Sequence, residues 1–558
     1  MHETAMQLTR ITANGRARAA ALEAAARTEA RATSLVAYAS KGALVILGPG
    51  REALAAAERL APALECTVVV TDDAQGNGPE GVTVVREKPL QVSGHLGQFN
   101  VIVAARPPLG GENLLRKLGG PRTHFDLVLD LCRPAHIGAP LPPFGYYAPS
   151  EPEALERALA ELPEMVGEFE KAKFFQYDPS ICAHGRSGLS GCTRCIDACP
   201  TWAIISMGDE IAVDPYLCQG AGACATACPT GAITYAYPRP GDSIDKLGAL
   251  LKAYRAAGGE GAIVVFHDAE HGREALADLP APLPERVIPI EIAEQGSVGM
   301  DVWLSLLAFG ASEVWLYATQ HVPGPVREEI EAQLSYARAI LAGMGHDGGR
   351  LRLLDGDLSR ALGQTDDAGG AADYPPATYA GVDEKRTMLR LAVEHLYQYA
   401  PAPRAEAALP DGAPFGEIRV DREKCTLCMS CVGVCPSHAL ADGTDLPQLN
   451  FIEANCVQCG LCEKACPEDA ITLQARYLYD PSARRQSRVL NEEVPFHCVR
   501  CGKPFATRKM MDRMSEKLGG HWMFQKPEAL RRLQMCGDCR VRDMFELEAK
   551  RPGQGFPM

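Results

Sequence analysis

The feature that most constrains this chain is the placement of its cysteines. Of its 21 cysteines, all but Cys66 and Cys132 fall in three groups, at 182–228, 425–466 and 498–539. The chain carries no recognisable targeting signal, so we expect it in the cytoplasm, where thiols stay reduced and a disulfide framework does not form. Thiolates at short, regular spacing bind soft metals, and each group is therefore predicted to hold metal. Cys66 and Cys132 border apolar runs and are predicted to be small buried hydrophobic residues.

The group at 425–466 repeats one spacing, C-x2-C-x2-C-x3-C-P. Its two copies comprise Cys425, Cys428, Cys431 and Cys435, and then Cys456, Cys459, Cys462 and Cys466. Three cysteines of such a run bind one iron–sulfur cubane, and the fourth binds the neighbouring cubane. The predicted 4Fe–4S ligand sets are therefore Cys425, Cys428, Cys431 and Cys466, and Cys456, Cys459, Cys462 and Cys435. A pair of zinc sites is the alternative, which the proline after each run disfavours. The segment resembles the bacterial two-cluster ferredoxin module.

The group at 182–228 is a modified copy of this pattern. It contains Cys182, Cys192, Cys195, Cys199, Cys218, Cys224 and Cys228. Regular spacing would put the first ligand at Leu189, and Cys182 is expected to replace it by folding back through a loop that carries Gly and Ser. The predicted ligand sets are Cys182, Cys192, Cys195 and Cys228 for one 4Fe–4S cluster, and Cys199, Cys218 and Cys224 for a second cluster.

Ala221 stands where the second of these clusters would have its fourth cysteine. Without that thiolate a cubane loses its hold on one iron, so three thiolates suit a 3Fe–4S cluster. Some seven-iron ferredoxins, which this half of the chain resembles, hold such a cluster at a motif of this kind. A 4Fe–4S cluster with water or another ligand at the fourth iron, and an empty site, are the alternatives. The full set of sites predicts about 15 to 16 iron atoms per chain.

Two C-x2-C pairs make up the group at 498–539. They are Cys498 and Cys501, and Cys536 and Cys539. Four thiolates in two such pairs form a closed tetrahedral site that is typical of structural zinc. We predict zinc here, with rubredoxin-type iron as the alternative. The nearby His497 and His521 are expected to be bystanders.

Residues 43–54, ALVILGPGREAL, have the layout of a dinucleotide fingerprint. An apolar strand leads into Gly48 and Gly50, a helix follows with Ala53 in place of the third glycine, and the next strand ends at Asp72. In such a fingerprint the glycines permit close approach of a pyrophosphate, and the acid binds the ribose. The segment resembles a shortened flavoprotein Rossmann domain, which implies a site for FAD or NAD(P). Because the fingerprint is imperfect, we favour a structural turn in a relic domain without nucleotide, and binding of FAD or NAD(P) is the alternative.

Strands and helices alternate over residues 261–355, which predicts a small α/β domain. The stretch IPIEIAEQGSVGMDVWLSLLAFGASEVWLYATQHVPG resembles the iron–sulfur delta subunit of the methyl-viologen-reducing hydrogenase, a family that holds a 2Fe–2S cluster through cysteines. Here no cysteine occurs between Cys228 and Cys425, and Glu294 stands at one expected ligand position. We expect the fold without the cluster, as a docking or spacer domain. The alternative is a metal site on His267, His271 and His321.

Together these segments predict a multidomain chain of the α/β and α+β classes. The predicted parts are a helical extension at 1–40, a Rossmann-like domain at 41–150, a helical connector at 151–178, a first ferredoxin module at 179–238, a delta-subunit-like α/β domain at 239–360, a linker at 361–415, a second ferredoxin module at 416–476 and a zinc-ribbon-like domain with four cysteine ligands at 477–558. The extension is rich in alanine and is expected to be an exposed helix.

Net charge and hydropathy reduce the number of function classes that fit the sequence. The net charge of −14 argues against nucleic acid or an anionic membrane as a partner. The sequence contains no apolar run of about 18 residues, so no membrane span is expected. We see no nucleophile–base pair and no open metal site, and we therefore predict a non-catalytic electron-transfer subunit. The alternatives are a flavin- or NAD(P)-dependent reductase and a maturation scaffold with labile clusters.

The whole arrangement resembles bacterial iron–sulfur proteins that accompany formate dehydrogenase. The two ferredoxin segments and the C-terminal cysteine pairs carry this resemblance. It implies a relay of electrons between a molybdenum or tungsten oxidoreductase and a cytoplasmic carrier.

Overall fold

The computed structural model describes most of the chain. The described residues are 13–27, 34–74, 76, 78–105, 110–356, 358–365, 374–444, 446–524 and 526–549. They form two parallel sheets flanked by helices, and small antiparallel sheets, most of which lie around the cysteine groups. This is a mixed α/β architecture, as the sequence predicts. None of the helices within these ranges is both long and apolar enough to cross a membrane.

The first α/β unit extends to residue 172. Helix α1 (Ala13–Ala26) precedes it and packs on the second α/β unit. The elements of the first unit are β1 (Leu35–Ser40), β2 (Ala43–Gly48), α2 (Gly50–Leu60), β3 (Glu65–Val70), β4 (Thr83–Val85), β5 (Pro89–Ser93), β6 (Asn100–Ala104), β7 (Gly111–Asn113), α3 (Leu114–Leu118), β8 (Leu127–Asp130), β9 (Tyr146–Tyr147), α4 (Pro152–Glu161), a 3-10 turn (Leu162–Glu164) and β10 (Gly167–Ala172).

Five of these strands form a parallel sheet in the order β4-β3-β2-β8-β9. Every residue of β2 is buried, because apolar cores lie on both faces of the strand. The chain runs outward from β2 to β3 and β4, and then returns to β8 on the other side of β2. In a sheet wound in this way a crevice opens at the carboxyl ends of the strands where the order reverses, here beside β2.

Helix α1 is packed rather than exposed, so that prediction is wrong. Ala17 and Ala21 are buried in the largest apolar core, against helix Pro240–Ala256. Buried Arg18 donates from Nη1 to the carbonyl of Pro284 at 2.9 Å. Alanines spaced by four residues produce only a weak apolar pattern in the sequence, yet their small side chains allow a helix to approach its neighbour closely.

The first cysteine region, module 1, covers residues 175–235. Its elements are β11 (Phe175–Tyr177), a 3-10 turn (Pro179–Ile181), β12 (Gly185–Arg186), β13 (Leu189–Ser190), α5 (Arg194–Asp197), β14 (Ile204–Met207), β15 (Glu210–Val213), α6 (Ala223–Ala227) and β16 (Ile233–Tyr235). Strands β12 and β13 pair as a hairpin within the long loop that separates Cys182 from Cys192. The hairpin gives that loop a defined shape.

The second α/β unit follows module 1. Its elements are α7 (Pro240–Ala256), β17 (Ile263–Asp268), α8 (His271–Ala277), β18 (Val287–Ile292), a 3-10 turn (Gln295–Ser297), α9 (Met300–Ala308), β19 (Glu313–Ala318), α10 (Gly324–Met344), a 3-10 turn (Gly348–Arg350), β20 (Leu351–Asp355), α11 (Leu358–Gly363) and α12 (Lys385–Gln398). The four strands are parallel, in the order β18-β17-β19-β20.

Helix α12 lies within the segment predicted as a linker, 361–415. Its Met388, Ala392 and Leu396 are buried in the same apolar core as Trp303 of α9. This helix is therefore a packed part of the second α/β unit. Residues 366–373 of the predicted linker lie outside the described residues.

The second cysteine region, module 2, covers residues 406–492, and the C-terminal tail covers 495–549. Module 2 contains β21 (Glu406–Ala408), β22 (Gly416–Val420), α13 (Ser430–Gly433), β23 (Leu440–Asp442), β24 (Gln448–Phe451), a 3-10 turn (Glu453–Asn455), α14 (Leu461–Lys464), β25 (Ile471–Leu478), α15 (Pro481–Arg485) and β26 (Arg488–Glu492). The tail contains β27 (Pro495–His497), β28 (Pro504–Thr507), α16 (Arg508–Gly519), a 3-10 turn (Trp522–Phe524), α17 (Pro527–Leu533) and α18 (Gly537–Ala549).

Candidate metal centres

The cysteines of the two modules gather into four groups, which we call sites I to IV. Site I comprises Cys182, Cys192, Cys195 and Cys228, site II Cys199, Cys218 and Cys224, site III Cys425, Cys428, Cys431 and Cys466, and site IV Cys435, Cys456, Cys459 and Cys462. The cysteines of each of the first three sites line one small cavity. At site IV, burial raises the pKa of Cys462, and the other three thiols of the site raise it further. The structure thus brings together the four ligand sets that the spacing predicts.

Four short helices, α5, α6, α13 and α14, connect the two sites of each module. Helix α6 holds Cys224 of site II, and Cys228 of site I comes directly after its last residue. Helix α14 holds Cys462 of site IV, and Cys466 of site III follows two residues after its end. A helical turn carries the closing cysteine away from the loop of its own run. The two sites of a module are therefore held at a fixed separation.

The loops around the sites repeat one backbone conformation. Left-handed φ angles occur two and four residues after the first cysteine of three runs, at Leu427 and Met429, Gln458 and Gly460, and Gly220 and Gly222. They occur again three residues after the closing cysteines, at Trp202, Gly231, His438 and Asp469. Such angles are unfavourable for residues other than glycine and persist where the surroundings require them. The loop that holds Ala221 therefore has the conformation of the loops that hold a cysteine at this position.

Donor groups contact the sulfur atoms at equivalent positions. The N–H of Ala439 donates to Sγ of Cys435 at 3.3 Å, and the equivalent N–H in the following run does the same at 3.3 Å. Three closing cysteines lie beside a hydroxyl two residues later, at 3.4 Å from Thr201, 3.5 Å from Thr230 and 3.7 Å from Ser437. Hydrogen bonds to sulfur are among the factors that set the potential of a bound cluster.

Burial at these sites disfavours the ionised form of the cysteine thiols. The pKa of Cys459 is raised to about 11 and that of Cys431 to about 12, mainly by burial and further by neighbouring thiols of the same site. Several buried thiolates at one site need a bound cation, and sulfur donors select soft metals and iron–sulfur clusters. The donor set, the burial and the cavities therefore fit iron–sulfur clusters.

Modules 1 and 2 meet at sites I and IV. Leu461 packs against Gly191, and these two residues directly precede a cysteine of site IV and a cysteine of site I. The thiol of Cys192 in site I is close enough to raise the pKa of Cys459 in site IV, in addition to the larger effects of burial and of the thiols of site IV. The four sites therefore follow one another in the order II, I, IV, III.

The corner of site II that lacks a cysteine faces the second α/β unit. Ala221 is buried and lines the site II cavity. A Cβ placed on Gly222 would lie 2.5 Å from Cα of Ser297, so the two backbones are in close contact. Glu294, in the same loop as Ser297, has its pKa raised to about 7 by burial and by two nearby carboxylates. The second α/β unit thus covers this corner of site II.

Of the three histidines considered as an alternative metal site in that unit, two contact each other and the third has a different partner. His271 and His321 stack, with ring centroids 3.7 Å apart. His267 is buried in β17, and its Nδ1 lies 3.0 Å from the carbonyl oxygen of Asp268. Burial lowers the pKa of His267. These contacts favour packing roles for the histidines.

The four cysteines of the tail form a compact group. The sulfur atoms of Cys498, Cys501, Cys536 and Cys539 all lie within 4.8 Å of one another. Burial raises the pKa of the Cys498 thiol, but the N–H groups of Cys501, Cys536 and Arg500 lower it more strongly, to about 6. Sulfur atoms at these separations fit tetrahedral coordination, and a thiol that ionises readily favours metal binding. The group therefore permits a bound metal, and zinc stays our prediction for its identity.

A crevice of about 1130 Å³ opens at the carboxyl edge of the first parallel sheet. Of the predicted nucleotide-site residues, Asp72 lines this crevice, whereas Gly48, Gly50 and Ala53 lie at the turn into α2 and along that helix. The carboxylate of Asp72 accepts a hydrogen bond from the N–H of Gly50 at 2.9 Å. In a dinucleotide site the N–H groups at this helix N-terminus face a phosphate. Asp72 therefore accepts the hydrogen bond from the Gly50 N–H that a bound pyrophosphate would need.

Sequence reasoning missed a polar group at the end of β8. Oδ2 of Asp130 accepts hydrogen bonds from the Tyr146 hydroxyl at 2.5 Å and from Nδ1 of His136 at 2.9 Å. The bond to Asp130 raises the pKa of His136. Cys132, predicted to be a buried hydrophobic residue, is instead partly exposed in the crevice, and burial of its thiol raises its pKa to about 12. The sequence did contain a signal for this group. Asp130 ends a buried strand and Cys132 and His136 follow it, and parallel sheets carry functional side chains at the carboxyl ends of their strands.

Comparison with known families agrees with the geometry of sites I to IV. Residues 175–237 match a family model described as a 4Fe-4S dicluster domain, and residues 424–471 match a second model of the same description. The chain is therefore a multi-cluster iron–sulfur protein. It contains two 4Fe-4S dicluster domains, which support an electron-transfer role. Comparison with curated proteins finds no match.

Proposed function

We propose that the chain relays electrons along sites II, I, IV and III, between a redox enzyme and a carrier. The contact of Leu461 with Gly191 carries this proposal, because it brings a site of each module against the other. Bound iron–sulfur clusters would supply the one-electron redox chemistry. The residues of the chain fix the separation of the sites, exclude water from the thiolates and donate hydrogen bonds to the sulfur atoms.

The two ends of this series differ in exposure. Among the cysteines of sites I to IV, all of which lie in the described part of the chain, only Cys428 of site III is exposed. Site II instead contacts both α/β units, through the bond from Lys171 of β10 to the carbonyl of Cys218 at 2.5 Å and through the packing of Ser297 on Gly222. We propose that a soluble carrier exchanges electrons at site III and that the enzyme docks on the α/β units near site II.

The proposed enzyme partner is a molybdenum or tungsten oxidoreductase of the formate dehydrogenase kind. The resemblance of the cysteine arrangement to proteins that accompany such enzymes supports this choice. We propose the cytoplasm as the compartment, because reduced thiols are required for cluster binding. Zinc at the C-terminal cysteines would complete the metal content.

The relay predicts that loss of two ligands at the junction removes one cluster. In a Cys459→Ala/Cys462→Ala double variant, site IV keeps only two thiolates, so we expect the iron content of the anaerobically prepared chain to fall by about four atoms. We also expect the magnetic interaction between reduced clusters of the two modules to disappear. Iron and acid-labile sulfide analysis, together with EPR of the dithionite-reduced chain, measures both quantities.

The matched control for this experiment is Cys66→Ala, which removes a buried thiol far along the chain from sites I to IV. The control should keep the full iron content and the magnetic interaction. A wild-type chain that contains zinc but no acid-labile sulfide would contradict the relay. Clusters that are lost on gel filtration would favour the maturation scaffold instead.

A second candidate function, a flavin- or NAD(P)-dependent reductase, is favoured by one observation. The crevice beside β2 is large enough for part of a dinucleotide, and Arg86, Lys88 and Arg133 line it together with Asp72. These cations could bind a pyrophosphate even though Asp72 occupies the N–H of Gly50.

This candidate predicts measurable binding of FAD or NADH that depends on the charge of Lys88. A Lys88→Glu variant should bind the nucleotide about tenfold more weakly, because it replaces a charge-assisted hydrogen bond by repulsion. Calorimetric titration of both nucleotides measures this. The control is Lys41→Glu, at an exposed lysine two residues before the opposite end of β2. Absence of binding to the wild-type chain eliminates the reductase.

A further inference from the structure

Helix α12 brings positive charges to the junction between the two modules. Lys385 and Arg386 are its first two residues. Lys385 donates from Nζ to the carbonyl of Ala225 in α6, at 3.2 Å, and Arg390 donates to the carbonyl of Ala454 next to site IV. Arg386 itself is buried. The helix thus presents three cations to the backbone that surrounds sites I, II and IV.

Arg386 contacts both modules through backbone carbonyl groups. Its Nη1 donates at 3.1 Å to Pro229, which directly follows Cys228 of site I. Its Nη2 donates at 3.0 Å to the carbonyl of Cys456, a cysteine of site IV. The guanidinium also lies over the ring of Phe415, with its central carbon 4.7 Å from the ring centroid. All four carbonyl groups that accept from Arg386 are neutral, so the groups that bind the guanidinium do not cancel its charge.

A buried cation between two thiolate-rich sites acts on both of them. A guanidinium stays protonated in proteins, so the side chain of Arg386 is charged at neutral pH. Clusters with cysteine ligands are anionic, and their net charge is one of the factors that set their potential. A charge interaction is stronger in a buried, low-dielectric place than at the surface. A fixed positive charge at this junction therefore favours the form of each cluster that carries one more electron.

We propose that Arg386 raises the reduction potentials of the clusters at sites I and IV, and thereby controls the transfer of electrons between the modules. This inference rests on the proposed relay function. Sites II and III lie farther along the series, so their potentials are affected less. Electrons on the relay are then held preferentially at its centre.

The test is a redox titration, followed by EPR, of the full-length chain prepared anaerobically. Arg386→Met removes the charge and keeps an apolar stem of similar reach. We expect the ratio of reduced to oxidised cluster at sites I and IV to fall roughly tenfold at a fixed solution potential, which for a one-electron couple is ~59 mV. Arg386→Lys keeps the charge, and we expect it to retain most of the wild-type ratio although it loses the forked hydrogen bonds. Arg386→Gln takes the place of the Met variant if the latter loses iron.

The matched control is Arg350→Met in the second α/β unit. Arg350 also donates to backbone carbonyls, those of Ser312 and Ala311, and also lies over an aromatic ring, that of Tyr374. Its removal should leave every cluster potential unchanged. Unchanged potentials in the uncharged Arg386 variants at full iron content, or equal shifts in the charged and uncharged variants, overturn the inference. A wild-type chain without clusters overturns the relay itself, so the two failures are distinguishable.

Discussion

Replacement of Ala221 by cysteine is expected to raise the iron content of the anaerobically prepared chain from about 15 to about 16 atoms. The backbone favours this result, because the φ angles of Gly220 and Gly222 lie in the same left-handed region as those of the residues around Cys428 and Cys459. The side chain at 221 also belongs to the lining of the site II cavity. A thiolate at this position would complete the ligand set for a fourth iron.

The clearest readout of this change is magnetic. An oxidised 3Fe–4S cluster is paramagnetic, whereas an oxidised 4Fe–4S cluster of the ferredoxin type is not. We therefore expect the EPR signal of the oxidised wild-type chain to disappear in the Ala221→Cys variant. Ala221→Ser, which adds an oxygen in place of the sulfur, is the control and should retain the signal. A wild-type chain with a full complement of iron and no signal when oxidised would show that site II already holds a 4Fe–4S cluster.

Loss of one cysteine from the tail is expected to unfold the tail and to leave the iron content unchanged. The apolar cluster around the cysteines of the tail is small, since it consists of Met535, Phe505 and three of the four cysteines themselves, and Met511 and Leu533 are further buried apolar side chains of the tail. Large apolar side chains such as Trp522, at 74% exposure, and Phe545, at 67%, contribute little burial. Structural zinc in small domains provides an apparent binding free energy of about 10–16 kcal/mol, and folding depends on it.

The variant for this test is Cys536→Ala, with metal analysis and limited proteolysis as measurements. We expect zinc to be lost and residues 495–549 to become sensitive to protease, while the rest of the chain stays resistant. His521→Ala is the control, because this residue is predicted to be a bystander, and it should retain both zinc and resistance. A tail that stays resistant to protease without metal contradicts the prediction. Bound iron with rubredoxin-type absorption would show that the site holds iron instead of zinc.

The cysteine sites are the part of this protein that could be predicted from the sequence. The spacing determines which cysteine crosses to the neighbouring site, since a short helix such as α6 separates Cys224 from Cys228 by one turn. The strand–turn–helix pattern likewise predicts the start of the first parallel sheet. These features are local, and a few residues of contiguous chain specify each of them.

Features that join distant segments could not be predicted in the same way. Arg386 lies in the segment predicted as a linker, 361–415, and its role can be inferred only from the structure, which brings Pro229 and Cys456 to it from both modules. The capping of Gly50 by Asp72 is similar, because the sequence pattern of a ribose-binding acid is also compatible with a carboxylate that turns back to the helix N-terminus. In both cases the partner of a polar group is decided by packing between elements.

Among the cysteines of sites I to IV, Cys428 is the exposed one, so we expect dissolved oxygen to attack site III first. On the proposed relay, damage would then start at the end where the carrier is proposed to dock. The inner clusters would survive for a time but would be cut off from the soluble pool. Exposure to oxygen would therefore abolish electron exchange well before most of the iron is released.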